Sequence, residues 1–193
     1  DTVAVKIGDM NSNVYGVGNI AAKNTYKIGS IFSGEIEGFT LQEGDVVKKG
    51  EVIATIDSVD LTFKIKESEA NISASKSDLN SLKIDKHRAF EEFRYKELLY
   101  KKFETLYAKK AVSEISYIKY SNDLDIAKSK VDKLVTQINS TKGRVDQLIA
   151  TKDGLQAKLA KYTIVSDTDG VVISKLVDNH NIISIGQVLV EVV

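Results

Sequence analysis

Residues 34–56 read GEIEGFTLQEGDVVKKGEVIATI, short apolar runs punctuated by glycine at 34, 38, 44 and 50. Valine and isoleucine recur between the glycines, as in short strands joined by tight turns. So short a piece cannot bury a core of its own. A partner lies near the other end of the chain, where residues 170–192 read GVVISKLVDNHNIISIGQVLVEV. Without a gap, Gly34 falls on Gly170, Gly50 on Gly186, Ile36 on Val172, Leu41 on Val177, Ile53 on Leu189 and Ile56 on Val192. Two halves in one register can face each other as a small sandwich and bury their apolar sides together.

The 12 glycines are unevenly spread, with none between Gly50 and Gly143, and the chain has no proline. A stretch of that length without either helix breaker reads as helix. Apolar residues there recur every seven positions from about Leu61 to Tyr107 and from about Glu114 to Tyr162. The first arm carries Ile65, Ile72, Leu79, Phe93, Tyr100 and Tyr107, with Leu82, Ala89 and Phe103 alongside. The second carries a row through Leu124, Val131, Ile138, Val145 and Leu159, broken at Lys152. Its companion row runs through Tyr120, Ala127, Leu134, Leu148, Leu155 and Tyr162, broken at Thr141. Sustained heptads predict a coiled coil, each arm about 70 Å long at 1.5 Å per residue. Both arms start from one sandwich, so they run antiparallel, and the turn falls near residue 110. Lys109 and Lys110 suit a helix end, and Ser113 suits the cap of the next helix.

The expected fold is therefore α+β: a split β-sandwich interrupted by a long antiparallel helical hairpin. Residues 30–57 plus 164–193 form the sandwich and 58–163 the hairpin. Residues 1–29, with strand-like TVAVKI and VYGVGNIAAKNTYKI, are expected as strands of an incomplete β-barrel or membrane-proximal region.

Composition excludes several chemistries. Lysine plus arginine equal aspartate plus glutamate at 27 each, so no global field favours nucleic acid. Cysteine is absent, which removes disulfides, thiolate zinc sites and cysteine nucleophiles. His87 reads as a solvated helix residue and His180 as a turn residue opposite Gly44, without a second ligand at metal spacing. No glycine-rich loop opens a helix with Lys-Ser/Thr, and no metal, cofactor or catalytic site is expected. Gly34 and Gly50 read as turn residues rather than ligand contacts.

The quasi-repeated halves resemble the biotinyl/lipoyl domain. In carrier members a modified lysine stands in the turn between the halves; here Asp60 occupies that place and residues 58–163 replace the turn. A lipoyl-like sandwich split by a helical hairpin resembles the periplasmic adaptor, or membrane fusion (HlyD-like), family over residues 14–193. That resemblance implies a non-enzymatic protein of the periplasm, anchored to the inner membrane in its full-length form. Its implied partners are an inner-membrane transporter, foremost of the resistance-nodulation-division (RND) class, and a TolC-like outer-membrane channel. It further implies self-association into a hexameric ring. ABC- or major-facilitator-linked secretion, a lipoyl or biotin carrier subunit, and a coiled-coil scaffold are the alternatives.

Adaptors that dock on TolC-like ducts carry an Arg-x3-Leu-x6-Ser motif at the hairpin tip. On this chain the resemblance places that role on Lys102, Leu106 and Ser113, with lysine standing where the family has arginine. Lysine keeps the charge but not the planar, bidentate fork. A second spacing, Arg94 and Leu98, ends on Thr105 and lies further from the turn.

Overall fold

The computed structural model describes residues 1–18 and 23–193. Its elements run β1 (Tyr26–Gly29), β2 (Gly34–Phe39), β3 (Val46–Val47), β4 (Val52–Ile56), α1 (Val59–Ala108), α2 (Glu114–Ala160), β5 (Thr163–Val165), β6 (Gly170–Lys175), β7 (Ile182–Ile183) and β8 (Val188–Val192). The strands form two four-stranded sheets, ordered β1-β8-β6-β3 and β5-β4-β2-β7. Each half of the repeat thus lends its shortest strand to the other half's sheet. Neither sheet is complete without both ends of the chain, which ties the feet of the hairpin together.

The repeat is reproduced bond for bond. The Gly44 amide donates to the Val172 carbonyl at 2.8 Å, and the His180 amide to the Ile36 carbonyl at 2.8 Å. Gly50 donates to the Ser166 carbonyl at 2.7 Å and Gly186 to the Ser30 carbonyl at 2.8 Å. His180 has a φ of 65°, the left-handed conformation of its counterpart Gly44 at 94°. Between the sheets Ile36, Val47, Ile53, Ile56, Val172, Ile183, Leu189, Val190 and Val192 are closed to solvent. Burying each such side chain contributes about 1.5–3 kcal/mol before the cost of ordering it.

Two expectations are corrected here. Gly34 is not in a turn: it opens β2, where a Cβ would stand 2.5 Å from Ile56 Cγ2. Gly170 opens β6 in the same way, 2.4 Å from the Val193 carbonyl oxygen. Both glycines recur because strand packs on strand there, whereas Gly50 is a true turn residue with a φ of 84°. The second correction concerns the N-terminal stretch. Tyr26–Gly29 is no barrel remnant; it pairs antiparallel with β8 and is the counterpart of β5, with Ile28 and Ile164 both buried. Residues 1–18 carry no helix or strand and stand exposed, so TVAVKI forms no strand in this chain by itself. An isolated strand has neither a ladder nor a face to bury. Within VYGVGNIAAKNTYKI, residues 19–22 lie outside the described residues.

The helices α1 and α2, of 50 and 47 residues, are antiparallel and about 70–75 Å long. Their seam follows the heptads and extends them. In α1 Leu61, Ile65, Ser68, Ile72, Ser75 and Ala89 are buried, and in α2 Ala127 and Val145. Ser68, Ser75 and the half-buried Lys96 fill seam positions that an apolar pattern passes over. Lys96 is tolerated because its ammonium reaches Asp123 on α2 at 3.1 Å. At the foot, Phe32 stacks on Tyr162 with ring centroids 4.8 Å apart, and Lys158 lies 5.4 Å from the Phe32 ring. The Ile56 amide donates to the Tyr162 carbonyl at 2.9 Å, so the last strand before the hairpin is pinned to the chain that leaves it. No helix among the described residues is long and apolar enough to cross a membrane.

Candidate docking site at the hairpin tip

Helix α1 ends because the backbone turns left-handed at Lys110, with a φ of 57°. The Ala111 amide donates to the Leu106 carbonyl at 2.9 Å and the Lys110 amide to the Tyr107 carbonyl at 2.8 Å. This paired arrangement satisfies the last free carbonyls of the helix, with lysine where glycine usually stands. Lys109 and Lys110 lie just past the last turn, where their charge suits the negative end of the helix dipole. Ser113 caps α2: its Oγ accepts from the Ser116 amide at 3.3 Å and shares a hydrogen bond with Ser116 Oγ at 3.0 Å.

Below the turn the seam becomes aromatic. Phe103 stacks on Tyr120 at 3.8 Å and Tyr107 on Tyr117 at 4.8 Å. The Tyr100 and Tyr117 hydroxyls are 3.0 Å apart, and Tyr100 also donates to Glu104 at 3.1 Å. The hydrogen bond with Tyr117, then that with Glu104, holds the Tyr100 hydroxyl well above the usual phenol range. Tyr117 continues the Leu124 row one heptad toward the tip. That extension was visible in the spacing and is absent from the rows drawn on the sequence.

Lys102 and Leu106, one turn apart on α1, line one shallow groove of about 450 Å³ with Leu98, Lys101 and Thr105. Leu106 is 39% exposed, so its apolar side chain is open to a partner at the end of the helix. Ser113 lies across the turn at the start of α2 and is not part of that groove; its hydroxyl is engaged by the cap. Arg94, the alternative, is held by Glu91 on its own helix at 3.2 Å. Lys101 pairs with Glu97 at 2.8 Å, whereas Lys102, Lys109 and Lys110 have no ion-pair partner among the described residues. The tip therefore offers positive charge around a small apolar groove, about 70 Å from the sandwich. The position of the carrier lysine is accounted for as well. Asp60 lies in the first turn of α1, where a carboxylate complements the helix dipole.

With this geometry in place, comparison with known proteins is specific. A profile of the CzcB-like, barrel-sandwich hybrid domain matches residues 24–192. The macrolide export protein MacA of Yersinia pestis is 30% identical over 141 residues, covering 73% of this chain and 36% of that protein. MacA of Escherichia coli O157:H7 is 26% identical over 171 residues, covering 89% of this chain and 42% of its own length. The crystal structure of MacA from Actinobacillus actinomycetemcomitans shares the fold, with a TM-score of 0.69 at 23% identity over 88% of this chain and 49% of that one. The chain thus spans about two fifths of the length of these curated relatives.

Proposed function

Because the chain belongs to the CzcB-like barrel-sandwich hybrid family, we propose that it is the stalk of a non-enzymatic periplasmic adaptor of an efflux system. In this reading the sandwich takes its place in an inner-membrane-anchored assembly with a transporter. The hairpin carries its tip outward to a TolC-like outer-membrane channel. The observation that favours it is the tip itself: a rigid antiparallel stalk ends in an exposed groove with Leu106 and Lys102 on its wall. A scaffold that used the hairpin only as a spacer has no need of an apolar, charged end.

Lys102 and Leu106 provide the docking contacts, and Ser113 contributes by fixing the start of α2. Monodentate lysine in place of arginine makes the contact more sensitive to salt and less directional. The relatives named as macrolide export proteins give the RND assignment no support. An ABC transporter is an equal candidate, and copurification of the transporter with the full-length protein decides between them. Self-association into a ring belongs to the same reading.

The chain has no cysteine, so Ala111→Cys in the full-length protein places one thiol in the turn. In its native cells this variant should cross-link to an outer-membrane channel, and Ser81→Cys, exposed on mid-arm, should not. Capture from Ser81 as readily as from Ala111, or from neither while the channel is present, refutes tip docking and favours the scaffold.

A further inference from the structure

The two broad faces of the hairpin use charge differently. Among the described residues three ion pairs cross between the helices: Lys96 with Asp123 at 3.1 Å, Lys130 with Glu92 at 2.8 Å and Arg144 with Asp78 at 3.2 Å. Asp123, Lys130 and Arg144 are spaced by multiples of seven residues, so all three pairs lie along one face. On the opposite face a groove of about 680 Å³ opens between the helices, walled by Lys83, Lys86 and Phe90 of α1 and by Val131, Val135 and Ile138 of α2. Phe90 is 42% exposed there. One heptad toward the foot adds Lys76 and Lys142, and one toward the tip adds Lys128. Among the described residues, Lys76, Lys83, Lys86, Lys128 and Lys142 have no ion-pair partner.

Lys86 separates this face from a merely solvated one. It stands in the Ile65 row of the seam and is half-buried, as Lys96 is in the neighbouring seam row. The ammonium of Lys96 is received by Asp123, whereas Lys86 has no such acid and lines the groove. The next row outward holds Asn80, His87 and Arg94 on α1 and Asp132 and Asp146 on α2. Arg94 is already held by Glu91. Five ammonium groups therefore stand against two carboxylates, and the complement of this face is an anion. Its size is limited as well. The apolar wall of α2 runs from Val131 to Ile138, about 10 Å, with Lys128 and Lys142 beyond its ends. A docked protein helix needs apolar anchors over a longer stretch, whereas a small amphiphile is covered by it.

We propose that this groove binds a single-chain amphipathic anion. Its carboxylate lies between Lys83 and Lys142, and its apolar chain runs toward the tip over Val135, Val131 and Phe90. Lys86 adds its charge from the seam. The chain of such a ligand excludes water from the lysines, which strengthens their attraction for the head group, and the apolar wall supplies burial. The site lies far from the tip groove and shares no residue with it.

Dodecanoate, titrated into the chain below the concentration at which it forms micelles, tests the site by NMR. Signals of Val131, Val135 and Ile138 should shift and saturate at one ligand per chain, while those of Leu106 at the tip and Ile36 in the sandwich stay in place. The double variant Lys83→Glu with Lys142→Glu, its helicity confirmed by circular dichroism, should bind about tenfold more weakly or worse. Lys133→Glu, on the opposite face, should bind as the parent does. Neutral dodecanol and cationic dodecyltrimethylammonium should also bind the parent at least about tenfold more weakly than dodecanoate, a comparison that needs no variant. Equal affinity for the three amphiphiles, or no loss in the double variant, shows adsorption to any apolar surface and overturns the proposal. Shifts centred outside the groove, or no saturable binding, overturn it too. None of these results touches tip docking, which the Ala111→Cys capture reads separately.

Discussion

Gly34→Ala and Gly170→Ala are the same substitution at equivalent places of the repeat, and the structure makes their costs unequal. At Gly34 the new methyl meets Ile56 Cγ2 at 2.5 Å, in a core side chain closed to solvent. Overpacking of that kind costs about 1–3 kcal/mol, and the reduced freedom of the unfolded chain offsets roughly 0.4–1 kcal/mol. The net loss is about 0.5–2.5 kcal/mol. At Gly170 the obstacle is backbone, the Val193 carbonyl oxygen at 2.4 Å, with Val192 Cγ1 at 2.5 Å. Val171 and Val193 exchange two backbone hydrogen bonds, at 2.8 and 3.0 Å, so moving that carbonyl disturbs both. At about 0.5–1.5 kcal/mol each, their loss brings the total to about 2–5 kcal/mol. Urea unfolding should be followed by amide exchange at Ile36 and Val172, whose N–H groups donate across the two halves at 3.1 and 2.9 Å. With a slope of about 2 kcal/mol per molar urea, the midpoint should fall by roughly 1–2.5 M for Gly170→Ala and by roughly 0.25–1.25 M for Gly34→Ala. Equal shifts, or a larger one at Gly34, would show that the Val193 segment yields freely and that the close approach is not what demands glycine.

At the tip, Lys110→Gly should raise the stability of the hairpin by about 0.5–1 kcal/mol. The left-handed conformation costs a lysine about 1–2 kcal/mol, of which the entropy of glycine returns roughly half; thermal unfolding should rise by about 1–4 °C, and an unchanged or lower midpoint refutes the strain. On mid-arm, the hydrogen bond and charge of Lys130 hold the Glu92 carboxyl below its ordinary range. A carboxyl depressed on folding contributes stability that is present above its unfolded pKa and lost as pH falls through the lower folded value. Carboxyl NMR titration should therefore find Glu92 below free glutamate, and Lys130→Met should return it; an unshifted Glu92 in the parent chain refutes the bridge in solution.

Much of this fold follows from local rules that the sequence carries by itself. Side chains spaced in fours and threes can bury together only along a helical seam, and the lack of glycine and proline between Gly50 and Gly143 leaves helix unopposed. The gapless repeat of residues 34–56 and 170–192 determined the sandwich, and the need to return to it determined the hairpin. Placing Lys102 and Leu106 near the tip required only counting residues from the turn.

What the chain could not reveal locally was settled by contacts between distant segments. Tyr26–Gly29 is a strand only because β8 offers it an edge, whereas TVAVKI, with the better alternation, has no such edge and forms no strand. Gly34 reads as a turn residue until strand packs on strand. Ser68 and Ser75 look polar in sequence but sit in the seam because the heptad register, set by their neighbours, carries them there. In each case one residue is compatible with two environments, and the sum of its partners' burial chose between them.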